Sequence, residues 1–312
     1  MERAPYFDEV AKGPAHSEAY WLDTADGVRI RACLWPLEDA KGTVFLLPGR
    51  TECIEKYANG AKDLAERGYA SLAIDWRGQG LADRALKDPQ IGHVEDFADY
   101  LRDLDAVIGL AKAKAMPEPW FLMGHSMGGC IGLRALAQDH PFNAAGFSGP
   151  MWGIGLTGLQ KALVRFIAPV IAFFGLSHLR AAGTKRATYM LWHDFEDNLL
   201  TSDRQMWDHM RDQVIAHPEL GLGGPSTKWV TEALRETEAL DTLPSPEIPA
   251  ICFLGTDEKI VNNDTVRKRM ARWPDAELIP VKGGRHETPM ETDATRAMFY
   301  DRLVALFDAA QG

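Results

Sequence analysis

Ser126 sits inside Gly124-His125-Ser126-Met127-Gly128-Gly129, directly after the apolar run Trp120-Phe121-Leu122-Met123 and at the start of a helical pattern. The glycines at 124 and 128 leave room for a turn sharp enough to hold the serine in a strained backbone conformation between strand and helix. Such a turn lifts the hydroxyl above the end of the strand, beside the helix N-terminus. There it acts as a nucleophile once a base takes its proton. A plain glycine-rich turn is the alternative, and the strand before and helix after weigh against it.

In strand–turn–helix serine enzymes the acid and the histidine follow the serine in that order. The base is therefore expected in a loop after the last strand, where Gly283-Gly284-Arg285-His286 follows Glu277-Leu278-Ile279-Pro280-Val281. The other histidines all precede the expected position of the acid, which leaves His286. His125 adjoins the serine on the same tight turn, points elsewhere, and is expected to support the turn. The acid must orient the imidazole and stabilise its protonated form. Gly255-Thr256-Asp257-Glu258-Lys259-Ile260-Val261 offers two neighbouring carboxylates, Asp257 and Glu258, of which only one can reach His286. An oxyanion needs two backbone N–H donors. Met127, next after the serine, supplies one, and Arg50 in Pro48-Gly49-Arg50-Thr51-Glu52 is the natural second.

The elements that must position these groups can be read from the hydrophobic pattern. Segments 19–24 and 28–37 form a hairpin around Ala25-Asp26-Gly27, and apolar runs at 43–47, 70–74, 120–123, 144–147, 250–254 and 277–281 are buried-strand in type. Helical stretches separate most of them; in one, Phe97, Leu101, Leu104 and Ile108 recur at helical spacing. This alternation predicts an α/β fold with a mostly parallel sheet flanked by helices. It breaks off after the sixth strand, so residues 151–240 are expected to form a helical cap on a core of residues 1–150 and 241–312. The first part of the cap is strongly apolar, but Lys161, Arg165, Pro169 and His178 interrupt it, and its uncharged stretches fall short of the roughly 20 residues a bilayer span needs. It is expected either to be buried against the core or to face lipid and guide acyl chains. Trp152, Phe166, Phe173, Phe174 and Trp229 are candidate walls of an acyl pocket, with ordinary core packing as the alternative for each.

A net charge of −10 argues against a nucleic-acid partner, which would require a basic patch. It also disfavours electrostatic docking on anionic membranes, while leaving transient hydrophobic contact through the cap open. Cys33, Cys53, Cys130 and Cys252 match no metal or redox spacing. Met1-Glu2-Arg3-Ala4-Pro5 lacks the apolar stretch of a secretory leader, so a reduced cytoplasmic setting is expected, with peripheral membrane contact left open.

Together these segments resemble the monoacylglycerol lipase and bacterial lysophospholipase-like branch of the α/β-hydrolases over nearly the whole chain. The likeness is carried by Gly49-Arg50-Thr51-Glu52 with Tyr57 beyond, by Asp75-Trp76-Arg77-Gly78-Gln79-Gly80, by Gly124 to Gly129, and by His286-Glu287 with Glu291 and Arg296 following. Two departures stand out. Pro48-Gly49 replaces the His-Gly of many relatives, and anchoring the family's Gly-x-x-Asp-x-x-Val on Gly255 and Val261 puts Glu258 at the acid position. Glutamate serves this role on the same fold. The resemblance thus implies Ser126, Glu258 and His286 as the triad, with Asp257 as the alternative acid. It further implies a serine carboxylic-ester hydrolase acting through an acyl-enzyme on a monoacylglycerol or lysophospholipid, without metal or organic cofactor. A carboxylesterase of short acyl esters, or a peptidase or amidase, would use the same triad. A non-catalytic binding protein would ordinarily lack one of its members, and an aspartate-nucleophile hydrolase would not carry Ser126.

Overall fold

The computed structural model describes residues 1–311. The apolar runs form an eight-stranded sheet of β1 (Glu18–Asp23), β2 (Arg29–Trp35), β3 (Thr43–Leu47), β4 (Ala70–Asp75), β5 (Trp120–His125), β6 (Phe142–Ser148), β7 (Ala250–Gly255) and β8 (Ala276–Val281). Its strand order is β1-β2-β4-β3-β5-β6-β7-β8. The β1–β2 and β2–β4 pairs are antiparallel and the others parallel. The helices are α1 (Asp8–Ala11), α2 (Ala58–Ala65), α3 (Asp99–Ala113), α4 (Ser126–Leu136), α5 (Gly158–Phe173), α6 (Arg204–Ala216), α7 (Thr227–Thr242), α8 (Asn263–Ala271) and α9 (Asp293–Ala309).

The inner strands are continuous apolar runs because both faces of the sheet are covered. In β3, Phe45 and Leu47 pack on the side of α3, α4 and α8, while Val44 and Leu46 face α2 and α9. Successive strands run outward in opposite directions from β3 and β5. The crevice at the carboxyl ends of these two strands is where an open α/β sheet presents its ligand site.

Between β6 and β7 the chain makes α5, α6 and α7. These helices do not behave as one layer. Trp229, Ala233 and Leu240 of α7 join the core on one face of the sheet. Trp207, Met210 and Val214 of α6 gather with Met190 and Met290 into a small separate cluster. Helix α5 opens with a reciprocal Thr157–Gln160 capping box, continues through Pro169 and buries only Ala168. No described helix is long and apolar enough to cross a membrane.

Candidate active site

Ser126 is the first residue of α4 and has a φ of 48°, the left-handed region that costs a non-glycine residue on the order of 1 kcal/mol or more. The neighbouring glycines keep this turn tight. A Cβ on Gly128 would lie 2.0 Å from the carbonyl oxygen of Leu47, and one on Gly124 would lie 2.8 Å from the Cα of Gly129. Helix α4 can therefore press against the ends of β3 and β5 only while both positions lack side chains. Its first turn presents the Met127 N–H at a helix N-terminus, where the aligned peptide dipoles favour developing negative charge.

His286 and Ser126 line the same cavity. Behind the imidazole, His286 Nδ1 lies 2.6 Å from Glu258 Oε2. A carboxylate only accepts, so Nδ1–H donates and Nε2 is left as the basic nitrogen. The other Glu258 oxygen accepts from the N–H groups of Ile260 at 2.5 Å and Val261 at 3.3 Å. Burial alone would raise the Glu258 pKa. The His286 hydrogen bond and charge, with these two amides, outweigh burial and hold it below the ordinary glutamate value. Asp257 is exposed, and its backbone N–H donates to Gly284 O at 3.0 Å. The geometry thus brings Glu258, not Asp257, to the histidine. No hydrogen bond joins the Ser126 hydroxyl to His286 among the described residues. Such bonds are often long before substrate closes the site.

The loop after β3 is held from several sides. Trp76 Nε1 donates to Pro48 O at 2.9 Å, Gln79 Nε2 donates to Gly49 O at 3.2 Å, and Thr51 N donates back to Gln79 Oε1 at 2.9 Å. Beneath it is a buried polar cluster. Glu52 accepts from the Gly49 N–H at 2.5 Å, the Tyr57 hydroxyl at 2.7 Å and the Lys56 ammonium at 2.5 Å. Lys56 also pairs with Glu287, next to His286, so one cation ties the two loops together. Burial favours a neutral Glu52, but Lys56 overrides it and holds the carboxylate well below its ordinary value. His125 donates from Nδ1 to Ser148 O at 2.9 Å and is kept neutral, its pKa depressed by burial to about 3. Glu52, His125 and Glu287 bring ligand-type atoms within 4.8 Å of one another, but Lys56 already supplies the positive charge between the carboxylates. Glu287 and Tyr57 appeared in the sequence only as positions of likeness, and Lys56 gave no signal, because a buried charge is recognised by its partners and not by its residue type.

The cavity above Ser126 measures about 410 Å³ and has walls from Met151, Ile154, Leu222, Trp229, Ile260 and Val261. Arg50, expected as an oxyanion donor, and Trp229, a candidate wall, both line it. Trp152 does not; it is buried between Phe147 and Trp273, with Nε1 donating to Gly129 O at 3.0 Å, so it braces α4 from behind. Phe166, Phe173 and Phe174 correct the expectation most plainly. They are 79%, 84% and 67% exposed, on or just past α5, and none of them lines the cavity. The apolar content of this segment gave no means of telling an inner face from an outer one.

The family model described as serine aminopeptidase, S33, matches residues 38–293. Lysophospholipase L2 of Escherichia coli is 32% identical over 91% of this chain and 85% of its own length. A probable lysophospholipase L2 of Haemophilus influenzae is 30% identical over 95% of both chains. A soluble variant of monoglyceride lipase from Saccharomyces cerevisiae, solved with a substrate analog, superposes with a TM-score of 0.72 and 23% identity over 93% of this chain and 95% of that one, a likeness of fold. The serine at the strand–helix turn and the late histidine thus stand in a chain that belongs to the S33 serine hydrolases of the α/β-hydrolase fold, in their lysophospholipase and monoacylglycerol lipase-like branch.

Proposed function

We propose that this serine hydrolase cleaves single-chain lipid esters, monoacylglycerols or lysophospholipids, with Ser126, His286 and Glu258 as its triad. The observation that carries the reading is the buried Glu258–His286 pair, whose histidine lines the same cavity as Ser126. Ser126 attacks the ester carbonyl as His286 Nε2 takes its proton, and Glu258 stabilises the imidazolium. The N–H groups of Met127 and Arg50 receive the oxyanion; among the described residues the Arg50 N–H has no protein acceptor. His286 then protonates the leaving alcohol, and water repeats the sequence on the acyl-enzyme.

The apolar walls suit an acyl chain, and the names of the relatives support the substrate class. An aminopeptidase would need a free carboxylate for the substrate amine. Glu52 and Glu287, which line the cavity, are both engaged by Lys56, which favours the ester reading. The segment 151–240 acts in this reading as a cap. The exposed apolar row of α5 (Leu159, Leu163, Phe166, Val170 and Phe173) gives it a face for transient contact with a lipid surface.

A panel of p-nitrophenyl esters, run beside monoacylglycerols and lysophospholipids, tests the substrate class. Each buried methylene contributes about 0.8 kcal/mol, so kcat/KM should climb roughly fourfold per methylene and level off where the cavity ends. Equal kcat/KM for acetate and long-chain esters would rule out an acyl pocket.

A further inference from the structure

The chain carries a net charge of −10, yet the cavity wall includes two cations, while its two carboxylates, Glu52 and Glu287, are engaged by Lys56. Arg50 and Lys185 both line the cavity, and neither forms an ion pair among the described residues. The Arg50 guanidinium is fixed in place. Its Nη2 donates to Gly223 O at 2.5 Å, its Cζ lies 5.3 Å from the centre of the Trp229 ring, and Gly92 lies along its Nε–Nη2 edge. Nε is buried with no acceptor, and among the described residues the one hydrogen bond of the guanidinium is that of Nη2, which leaves Nη1 unpaired. Burial without a counter-charge lowers the guanidinium pKa to about 10, so it remains a cation at neutral pH. A structural tie to Gly223 alone could be made by a neutral amide at a smaller desolvation cost. A planar cation held beside an indole, with Nη1 unpaired and no carboxylate on it, has the form of a site for an oxyanion.

From this arrangement we propose that Arg50 reads the phosphodiester of the substrate's head group, making a lysophospholipid the preferred ester over a neutral monoacylglycerol. The inference rests on the lipid-ester reading above and selects within it. The same residue that offers its N–H to the ester oxyanion sends its side chain along the cavity. In a lysophospholipid only the glycerol backbone separates the ester from the phosphate, a span comparable to an arginine side chain. The ester can then meet Ser126 while the phosphate meets the guanidinium.

The test compares a lysophosphatidylethanolamine with a monoacylglycerol of the same acyl chain, using the wild type, R50Q and R50K. R50Q should lower kcat/KM for the phosphodiester lipid at least about tenfold more than for the neutral one, mainly through KM, and R50K should regain part of that difference. Equal losses on both lipids would overturn the anion subsite and leave the lipid-ester reading standing. So would a wild type that cleaves only the monoacylglycerol. A wild type that cleaves neither lipid would overturn that reading itself. An independent arm needs no variant. At fixed ionic strength, sn-glycerol 3-phosphate should compete with p-nitrophenyl butyrate for the wild-type enzyme, and glycerol should not. Failure of the phosphate to compete counts against the subsite even if R50Q does not fold.

Discussion

Helices α5 and α7 are both 16 residues long and both belong to the segment between β6 and β7, yet they are used in opposite ways. Helix α7 is the more polar in sequence, and it buries Trp229, Ala233 and Leu240 against the body of the protein. Helix α5 is the greasier, and among its described residues it buries one alanine. Hydrophobic content therefore does not rank segments by burial. A helix whose apolar residues occupy one stripe can pack on a core, whereas one that is apolar around most of its circumference needs a second apolar environment for the face the core does not take. The difference separates a wall built into the fold from a surface that the fold leaves open.

If that separation holds, the chemistry depends on the core and the α7 wall, and not on α5. Ser126→Ala should lower turnover of every ester, soluble or lipid, by several orders of magnitude without loss of folding. A fluorophosphonate probe should label the wild type and spare the variant. Equal labelling of both would remove Ser126 from the mechanism.

The adjacent carboxylates give the next largest contrast. Glu258→Gln should cost on the order of 10³–10⁴ in kcat, because the amide no longer stabilises the imidazolium. Asp257→Asn, at an exposed position, should change kcat little. The reverse ranking, measured on a soluble ester, would transfer the acid role to Asp257.

Stability should separate the two helices directly. Trp229 is 6% exposed and donates from Nε1 to Tyr100 Oη at 3.1 Å. Trp229→Ala should cost about 3–5 kcal/mol, the usual range for a large aromatic removed from a core. Phe173→Ala should stay within about 0.5 kcal/mol of the wild type. Denaturant unfolding followed by circular dichroism reads both, and similar losses would mean that α5 packs as tightly as α7.

What could be read from the sequence follows the same division. The strands were legible because a sheet covered on both faces imposes uninterrupted apolar runs, and 43–47 and 277–281 lie within the observed bounds of β3 and β8. The turn at Ser126 was legible because its glycines have a steric reason that is local in the chain. Choosing between Asp257 and Glu258 needed the family's spacing, since two neighbouring carboxylates differ only in where the loop points them. The Lys56 bridge between Glu52 and Glu287 was not legible, because it joins residues more than two hundred positions apart. The fates of Trp152 and Phe173 were also hidden. Both are aromatic and both belong to the segment after β6, and only tertiary packing decides that one braces α4 while the other faces outward.

The smallest expected effect is the one that tests what α5 is for. Phe173 and Phe174 form an edge-to-face pair, with ring centres 5.3 Å apart, at the exposed end of the helix. Because neither touches the cavity, replacing both by serine should leave kcat/KM for a soluble p-nitrophenyl ester unchanged at every chain length. The same double variant should bind vesicles more weakly, since two aromatic side chains no longer enter the acyl boundary. Its hydrolysis of a lipid ester presented in those vesicles should fall several-fold, the loss lying in apparent KM and not in kcat. Neutral vesicles are the right surface, because the negative net charge of the chain opposes approach to anionic ones. If the variant instead flattens the chain-length dependence on soluble esters, α5 closes over the cavity during turnover and its aromatics are acyl-pocket walls after all. If neither vesicle binding nor lipid hydrolysis changes, the apolar row on α5 has no part in reaching the substrate, and the contrast with α7 is one of packing alone.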